Sequence, residues 1–214
     1  MVEPDPQAVP SKIIMVGSIH VGKTSLVAKY ATGKHPIKTE STKNASYVNK
    51  IKKVNGIKFE IRLWDTAGQE KYKSLTKLFI KDAKIAILVY SIDNEESFND
   101  LDSWFELIKS MNDDTILYGV CANKSDLASE KTIPDERGKE YAKKIGAEWT
   151  STSAIINGKG IHKFVDKLFI NYYYKNFSRT ESMSRRDSLN ISFIQEPKKG
   201  CCWGNIIDNN YKKA

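Results

Sequence analysis

A chain of 214 residues that is 40% hydrophobic is long enough for one well-cored domain and an appendage. The net charge of +8 comes from lysines spread along the whole length, with no RNA-binding signature among them, so a solvated surface is expected rather than a nucleic-acid partner. Three cysteines, Cys121, Cys201 and Cys202, make no paired framework and fit a reducing compartment. The longest apolar run, Ile85 to Tyr90, is far too short to cross a bilayer, and the proline-rich, acidic stretch Met1 to Ser11 does not read as a secretory signal.

Residues 1–11 are expected to form a flexible N-terminus. The first predicted strand is Ile13 to Val16, which runs directly into a tight loop and a helix from Thr24 to about Thr32 with Leu26, Val27 and Tyr30 on one face. The junction spells G-x-x-x-x-G-K-[ST], carried by Gly17, Gly22, Lys23 and Thr24. Gly17 lets the chain leave the strand without a Cβ in the way, and Gly22 lets backbone N–H groups turn onto phosphate oxygens. The following helix presents its positive end to the same anion, Lys23 would reach the β- and γ-phosphates, and the Thr24 hydroxyl would ligate Mg²⁺. Residues 33–44 read as an exposed loop.

Two strands follow, near Ser46 to Val54 and Lys58 to Trp64, with Asn55-Gly56 between them as a hairpin signal. A loop begins at Asp65, and a helix is predicted from Tyr72 to Ile80. Ile85 to Tyr90 has the composition of a buried parallel strand. Phe98, Leu101, Phe105 and Ile108 recur at helical spacing over 95–110, with Asn94 or Asp93 as cap. Ile116 to Ala122 is the next strand, Pro134 and Gly146 bracket a helix, and a short strand around Trp149 precedes a last helix facing inward through Ile161, Phe164, Val165, Leu168 and Phe169. This alternation predicts an α/β fold: a mostly parallel six-stranded sheet with one antiparallel edge strand and helices on both faces, ligands lying at the carboxyl ends of the strands.

Three further patches fall at those ends. In Asp65-Thr66-Ala67-Gly68-Gln69-Glu70, the Asp65 carboxylate can hold Mg²⁺ through water, Gly68 offers an N–H where a γ-phosphate would lie, and Gln69 is placed to orient an attacking water. In Asn123-Lys124-Ser125-Asp126, the Asp126 carboxylate matches the two donors of guanine, N1–H and N2–H, a pair adenine lacks. Lys124 could lie along the base and Asn123 could brace the loops. Ser153-Ala154 would offer a backbone N–H to the guanine oxygen, although a plain strand-to-loop exit gives the same letters.

Over roughly Lys12 to Tyr174 these motifs resemble a Ras-superfamily small GTPase, which has the three-layer P-loop NTPase fold. The leaning is to the Rab branch, through Lys58-Phe-Glu-Ile-Arg-Leu-Trp64 running into Asp-Thr-Ala-Gly-Gln-Glu and through Lys71-Tyr-Lys-Ser-Leu-Thr76. The resemblance implies a GTPase domain over 12–175, with Gln69 as catalytic residue and GTP, GDP and Mg²⁺ as ligands. Counted from Lys23, the family's switch threonine lands on Thr42, which joins Thr24 and Asp65 around the metal. The implied nucleotide contacts also take in Ser18, His20, Val21, Ser25, His35 and Ile155. Exchange factors, GTPase-activating proteins and effectors are implied through the Thr42 and Gln69 loops, for a cytoplasmic monomer reversibly bound to an endomembrane and acting in vesicle traffic.

The chain departs from the pattern in several places. Ile19 and His20 stand in the phosphate loop where the family has small residues, and Ile19 would crowd the γ-phosphate, Gln69 and an incoming arginine finger. Slow hydrolysis is therefore expected, and a GTP-binding scaffold that barely turns over is the alternative. His35 replaces a phenylalanine against the guanine, Ile155 replaces a lysine, and Asn44 replaces a glycine that shapes effector choice. Residues 176–214 lose apolar periodicity and are expected to be a disordered tail. Cys201 and Cys202 resemble the paired prenylated cysteines that end a Rab, but here Trp203 to Ala214 follow. Palmitoylation, prior trimming, or a soluble form each fit, so membrane attachment through the tail is an expectation.

Overall fold

Ile13 and Met15 turn to one side of the first strand and Ile14 and Val16 to the other, and all four are fully buried, so this strand lies inside a sheet covered on both faces. The computed structural model, which describes residues 8–34, 45–66, 78–112, 115–130, 132–156, 160–177 and 192–193, has that architecture. The chain runs β1 (Val9–Val16), α1 (Lys23–Thr32), β2 (Ser46–Val54), β3 (Ile57–Asp65), β4 (Ile85–Ser91), α2 (Glu95–Asn99) and α3 (Leu101–Met111). It continues through β5 (Leu117–Asn123), α4 (Asp135–Lys144), β6 (Glu148–Ser151), α5 (Gly160–Phe177) and β7 (Ser192–Phe193).

The strands lie in the order β6-β5-β4-β1-β3-β2-β7. From β6 to β3 all neighbours are parallel, and β2 is antiparallel to β3. This is the expected mixed sheet of the P-loop type. Asn55 and Gly56 take φ of 47° and 83°, the left-handed pair that a two-residue hairpin needs to match strand twist. One addition lies at the edge: Ser192 and Phe193 pair antiparallel with Lys53 and Lys52 of β2, so two residues of the tail extend the sheet.

Two apolar clusters sandwich the sheet. On one side α1 and α5 cover it, with Phe59 edge-on to Phe169 and Tyr173 at 5.1 and 5.7 Å between ring centroids. All five inward residues expected of the last helix are buried there. On the other side α2, α3 and α4 pack through Phe98, which meets Tyr90 at 5.0 Å and Tyr141 at 5.7 Å.

Two boundaries differ from the periodicity. β1 begins at Val9, ahead of the apolar run; Pro10 is tolerated because β1 pairs only with β3 there, β4 joining from Ile13 onward. The helix predicted over 95–110 is two helices meeting at Asp100, although the Asp100 N–H still bonds Glu96 O at 3.0 Å and its carbonyl accepts the Trp104 N–H at 3.2 Å. Asn94 is the cap, its side chain accepting from the Ser97 N–H at 2.8 Å. Trp104 is the fully buried aromatic beside Leu101 and Ile108, while Phe105 is only partly buried at the margin of the same cluster, edge-on to Tyr118 at 5.0 Å. Of the helix predicted from Tyr72 to Ile80, only residues 78–80 are described, and they are helical; the rest lies outside the described residues.

Candidate functional site

The turn out of β1 sets the geometry. Gly17 has φ 141°, and a Cβ there would sit 2.1 Å from the Val89 carbonyl oxygen of β4. Gly22 has φ 90°, and its Cβ would sit 2.4 Å from Asn123 Nδ2. Both positions therefore demand glycine on two counts, backbone conformation and contact. The loop between them is pressed between β4 and the end of β5. Gly22 then serves as N-cap of α1 without any side-chain cap bond, leaving the first-turn N–H groups directed at the loop mouth.

Lys23 lies over this loop. Its Nζ donates to Gly17 O at 2.7 Å and to Ser18 O at 2.8 Å. Burial lowers its pKa to about 8, partly offset by the Asp65 carboxylate. The Thr24 hydroxyl donates to Asp65 Oδ2 at 2.7 Å, joining the start of α1 to the end of β3. Thr66 locks the same strand end, its hydroxyl donating to Met15 O at 2.6 Å. On the loop's outer side the Ser18 hydroxyl donates to Asp100 Oδ2 at 2.5 Å, and His20 takes φ 63°.

A hydroxyl and a carboxylate at this separation are hard oxygen donors of the kind Mg²⁺ selects. No group of three or more His, Cys, Asp or Glu suited to a metal occurs among the described residues. An ion beside Thr24 and Asp65 would need further oxygens, which phosphates and water commonly supply to Mg²⁺.

The second half of the site comes from the ends of β5 and β6. Asn123 is buried, and its Nδ2 donates to Val21 O at 2.7 Å, tying this half to the phosphate loop. Its Oδ1 is buried with no hydrogen-bond partner among the described residues. Lys124 has φ 63° and sets its Nζ 3.5 Å from Asp93 Oδ2. Burial opposes the Asp93 carboxylate, but the Ser91 hydroxyl, Lys124 and its own N–H outweigh that and hold its pKa below the usual range. The Ser153 hydroxyl donates to Asp126 Oδ1 and accepts from the N–H groups of Ile155 and Ile156 at 3.0 and 3.2 Å. Ala154 is buried, whereas Ile155 is 60% exposed.

Thus Gly17 to Ser25, Asp65, Asn123, Lys124, Asp126 and Ser153 to Ile155 come together at the carboxyl ends of β1, β3, β5 and β6. His35, Thr42, Asn44, Gly68, Gln69, Cys201 and Cys202 lie outside the described residues. The structure also brings in residues the motifs did not flag. Asp93 meets Lys124, Asp100 meets Ser18, and Lys29 of α1 reaches the carbonyls of Ala154 and Ile156. Lys29 left a trace in the sequence: three residues after Leu26, it is a basic side chain on the helix's inner face. Beside the site, the rings of Tyr47, Trp64 and Phe79 form a half-buried row, with centroids 4.6 and 5.6 Å apart.

A parallel sheet with this loop between β1 and α1, and with an acidic strand end facing the helix start, defines a P-loop nucleotide-binding protein. The Ras family pattern matches residues 12–173. Ras-related protein Rab-21 of Geodia cydonium is 38% identical over 146 residues, covering 68% of this chain and 64% of that protein. RabJ of Dictyostelium discoideum is 32% identical over 199 residues, 88% of this chain and 78% of that protein. Human Rab-21 is 36% identical over 156 residues, 72% of this chain and 69% of that protein. The chain spans less than two thirds of the length of the Geodia cydonium relative. This chain belongs to the Ras family of small GTPases, and within it to the Rab branch.

Proposed function

We propose that the chain is a Rab-type switch that binds GTP and GDP with Mg²⁺, hydrolyses GTP to GDP and phosphate, and acts in vesicle traffic. The observation that carries this is the junction at the head of α1: Lys23 over the loop carbonyls, Thr24 on Asp65, and Asn123 holding the base loop to Val21. The resident Mg²⁺ would neutralise charge on the β- and γ-phosphates.

The chain's own groups do the rest. Backbone N–H groups from Ser18 to Ser25 cradle phosphate, with Val21 and His20 shaping the loop, and Lys23 reaches the transferring group. Thr24 and Thr42 would hold the metal directly and Asp65 would hold it through water. Gly68 contributes an N–H at the γ-phosphate, and Gln69 orients water for in-line attack. At the other end Asp126 accepts from guanine N1–H and N2–H, Lys124 lies along the ring, and His35 and Ile155 flank it. Ser153 fixes Asp126, and the Ala154 N–H meets the 6-oxygen. Exchange factors, activating proteins and effectors would act through the Thr42 and Gln69 loops.

No described helix is long and apolar enough to cross a membrane. Attachment to the cytosolic face of an endomembrane would come from Cys201 and Cys202, and mass spectrometry of the C-terminal peptide from cells would show the lipid. The switch itself is tested by following GDP formed from GTP in single turnover, for wild type and Gln69→Leu. Turnover that is slow and Gln69-dependent supports the proposal; GTP consumption that Gln69→Leu leaves unchanged opposes it.

One observation favours a second reading. Ile19 is half-buried within the phosphate loop, where it would obstruct the approach to the γ-phosphate. A GTP-holding scaffold with little turnover follows if that obstruction is complete, and stable bound GTP even with an activating protein would mark it.

A further inference from the structure

A lysine is an unusual choice for the inner face of a helix. Lys29 is 2% exposed on a helix whose neighbouring Leu26, Val27, Ala28 and Tyr30 belong to the apolar core, where an unsatisfied ammonium would be costly. Its Nζ instead donates to two carbonyls of one short loop, Ala154 O at 3.0 Å and Ile156 O. Ala154 is the loop's one apolar anchor among residues 154–156, since Ile155 and Ile156 are 60% and 52% exposed. The loop otherwise hangs on polar bonds: Ser153 to Asp126 on the side of the base, and Lys29 from beneath.

We propose that Lys29 is a positioning residue for guanine recognition, holding the Ala154 backbone where its N–H meets the 6-oxygen of the base. The inference rests on the guanine-nucleotide reading above and adds a residue to it. Because α1 begins at Lys23 and Thr24, one rigid helix then fixes both ends of the ligand: its first turn meets the phosphates and a residue two turns on sets the base loop. Lys29 thereby compensates for Ile155, whose side chain offers no polar group to the loop.

The test is release of fluorescently labelled GDP from the full chain in wild type, Lys29→Met and Lys29→Arg. Methionine keeps the apolar stem and removes the donors; arginine keeps donors able to span two carbonyls. Losing a charge-assisted pair of bonds should speed release about tenfold to a hundredfold in Lys29→Met, with arginine restoring most of it. The 2-aminopurine riboside diphosphate, which keeps the 2-amino group but has neither the 6-oxygen nor the N1–H, supplies the discriminating comparison, since the lost N1–H bond to Asp126 is the same for wild type and variant. Its affinity should be nearly the same in wild type and Lys29→Met. A Lys29→Met rate equal to wild type, or an equal penalty for both nucleotides, overturns the proposal; the second result would mean that Lys29 serves only packing. Lys29→Gln carries the same comparison if the methionine variant does not fold. Wild-type protein that binds no GDP would defeat the guanine reading itself, which is distinct from wild type that binds and a variant that behaves identically.

Discussion

On the proposed switch reading, Ile19 is the residue on which the chemistry would turn. An arginine finger is worth about 10³ to 10⁵ in rate, and a branched side chain in the phosphate loop would compete with it for space. Replacing Ile19 by glycine should raise single-turnover hydrolysis, most of all with an activating protein present; identical rates would show that the loop already makes room. Cys121 gives a second prediction at this scale. Complete burial pushes its thiol up to about 12, so iodoacetamide at pH 8 should leave it untouched in the native protein and label it on unfolding. Asp93 gives a third. Its folded pKa lies below the ordinary carboxylate value, so its stabilisation is full above that ordinary value and is lost as pH falls through the folded pKa. Asp93→Asn should lower stability at pH 7, by no more than about 1 kcal/mol for a pair near the surface, and flatten the acid side of a pH-stability curve. Neither Asp93 nor Asp100 was visible as a site residue beforehand. Their partners, Lys124 and Ser18, lie far off in the chain, and no spacing rule connects them.

At the scale of elements, side-chain volume and crossing bonds decide what periodicity leaves open. Helical spacing picks out Phe105, yet Trp104 is the aromatic that is 1% exposed, Phe105 lying partly buried against Tyr118. Trp104→Ala should cost about 3 to 5 kcal/mol in chemical denaturation, while Phe105→Ala should cost clearly less. The β2 edge is joined to α5 by Lys52 and Asp166 at 2.7 Å, with the lysine side chain 3% exposed. Removing one member leaves a buried charge behind. Asp166→Ala should therefore destabilise by about 3 kcal/mol or more, and the double variant Lys52→Met with Asp166→Leu should recover part of that. The strands and helices themselves were legible, because the apolar runs, the Asn55-Gly56 turn and the Pro134 and Gly146 boundaries are local signals. The start of β1 was not: Val9 to Ser11 carry a proline and a polar residue, and only pairing with Phe59 to Ile61 makes them a strand.

Taken as a whole, the molecule places four separated motifs at one end of a two-sided core, and the sheet order brings them together. β1 lies between β3 and β4, so the chain reverses direction across the sheet beside the phosphate loop, the place where parallel sheets open a crevice. The phosphate and base motifs could be read in advance because each is a short run with its own chemistry. The bonds that couple them, Asn123 to Val21 and Lys29 to the Ala154 loop, could not, since they join residues 102 and 125 positions apart that no spacing rule connects. The central claim is that this one crevice takes a triphosphate and chooses guanine through Asp126. It is tested most directly by competing GTP against ATP for the purified chain with Mg²⁺ present. GTP should be preferred by several orders of magnitude, with the preference collapsing in Asp126→Ala; equal retention of the two nucleotides, or of neither, would contradict the account.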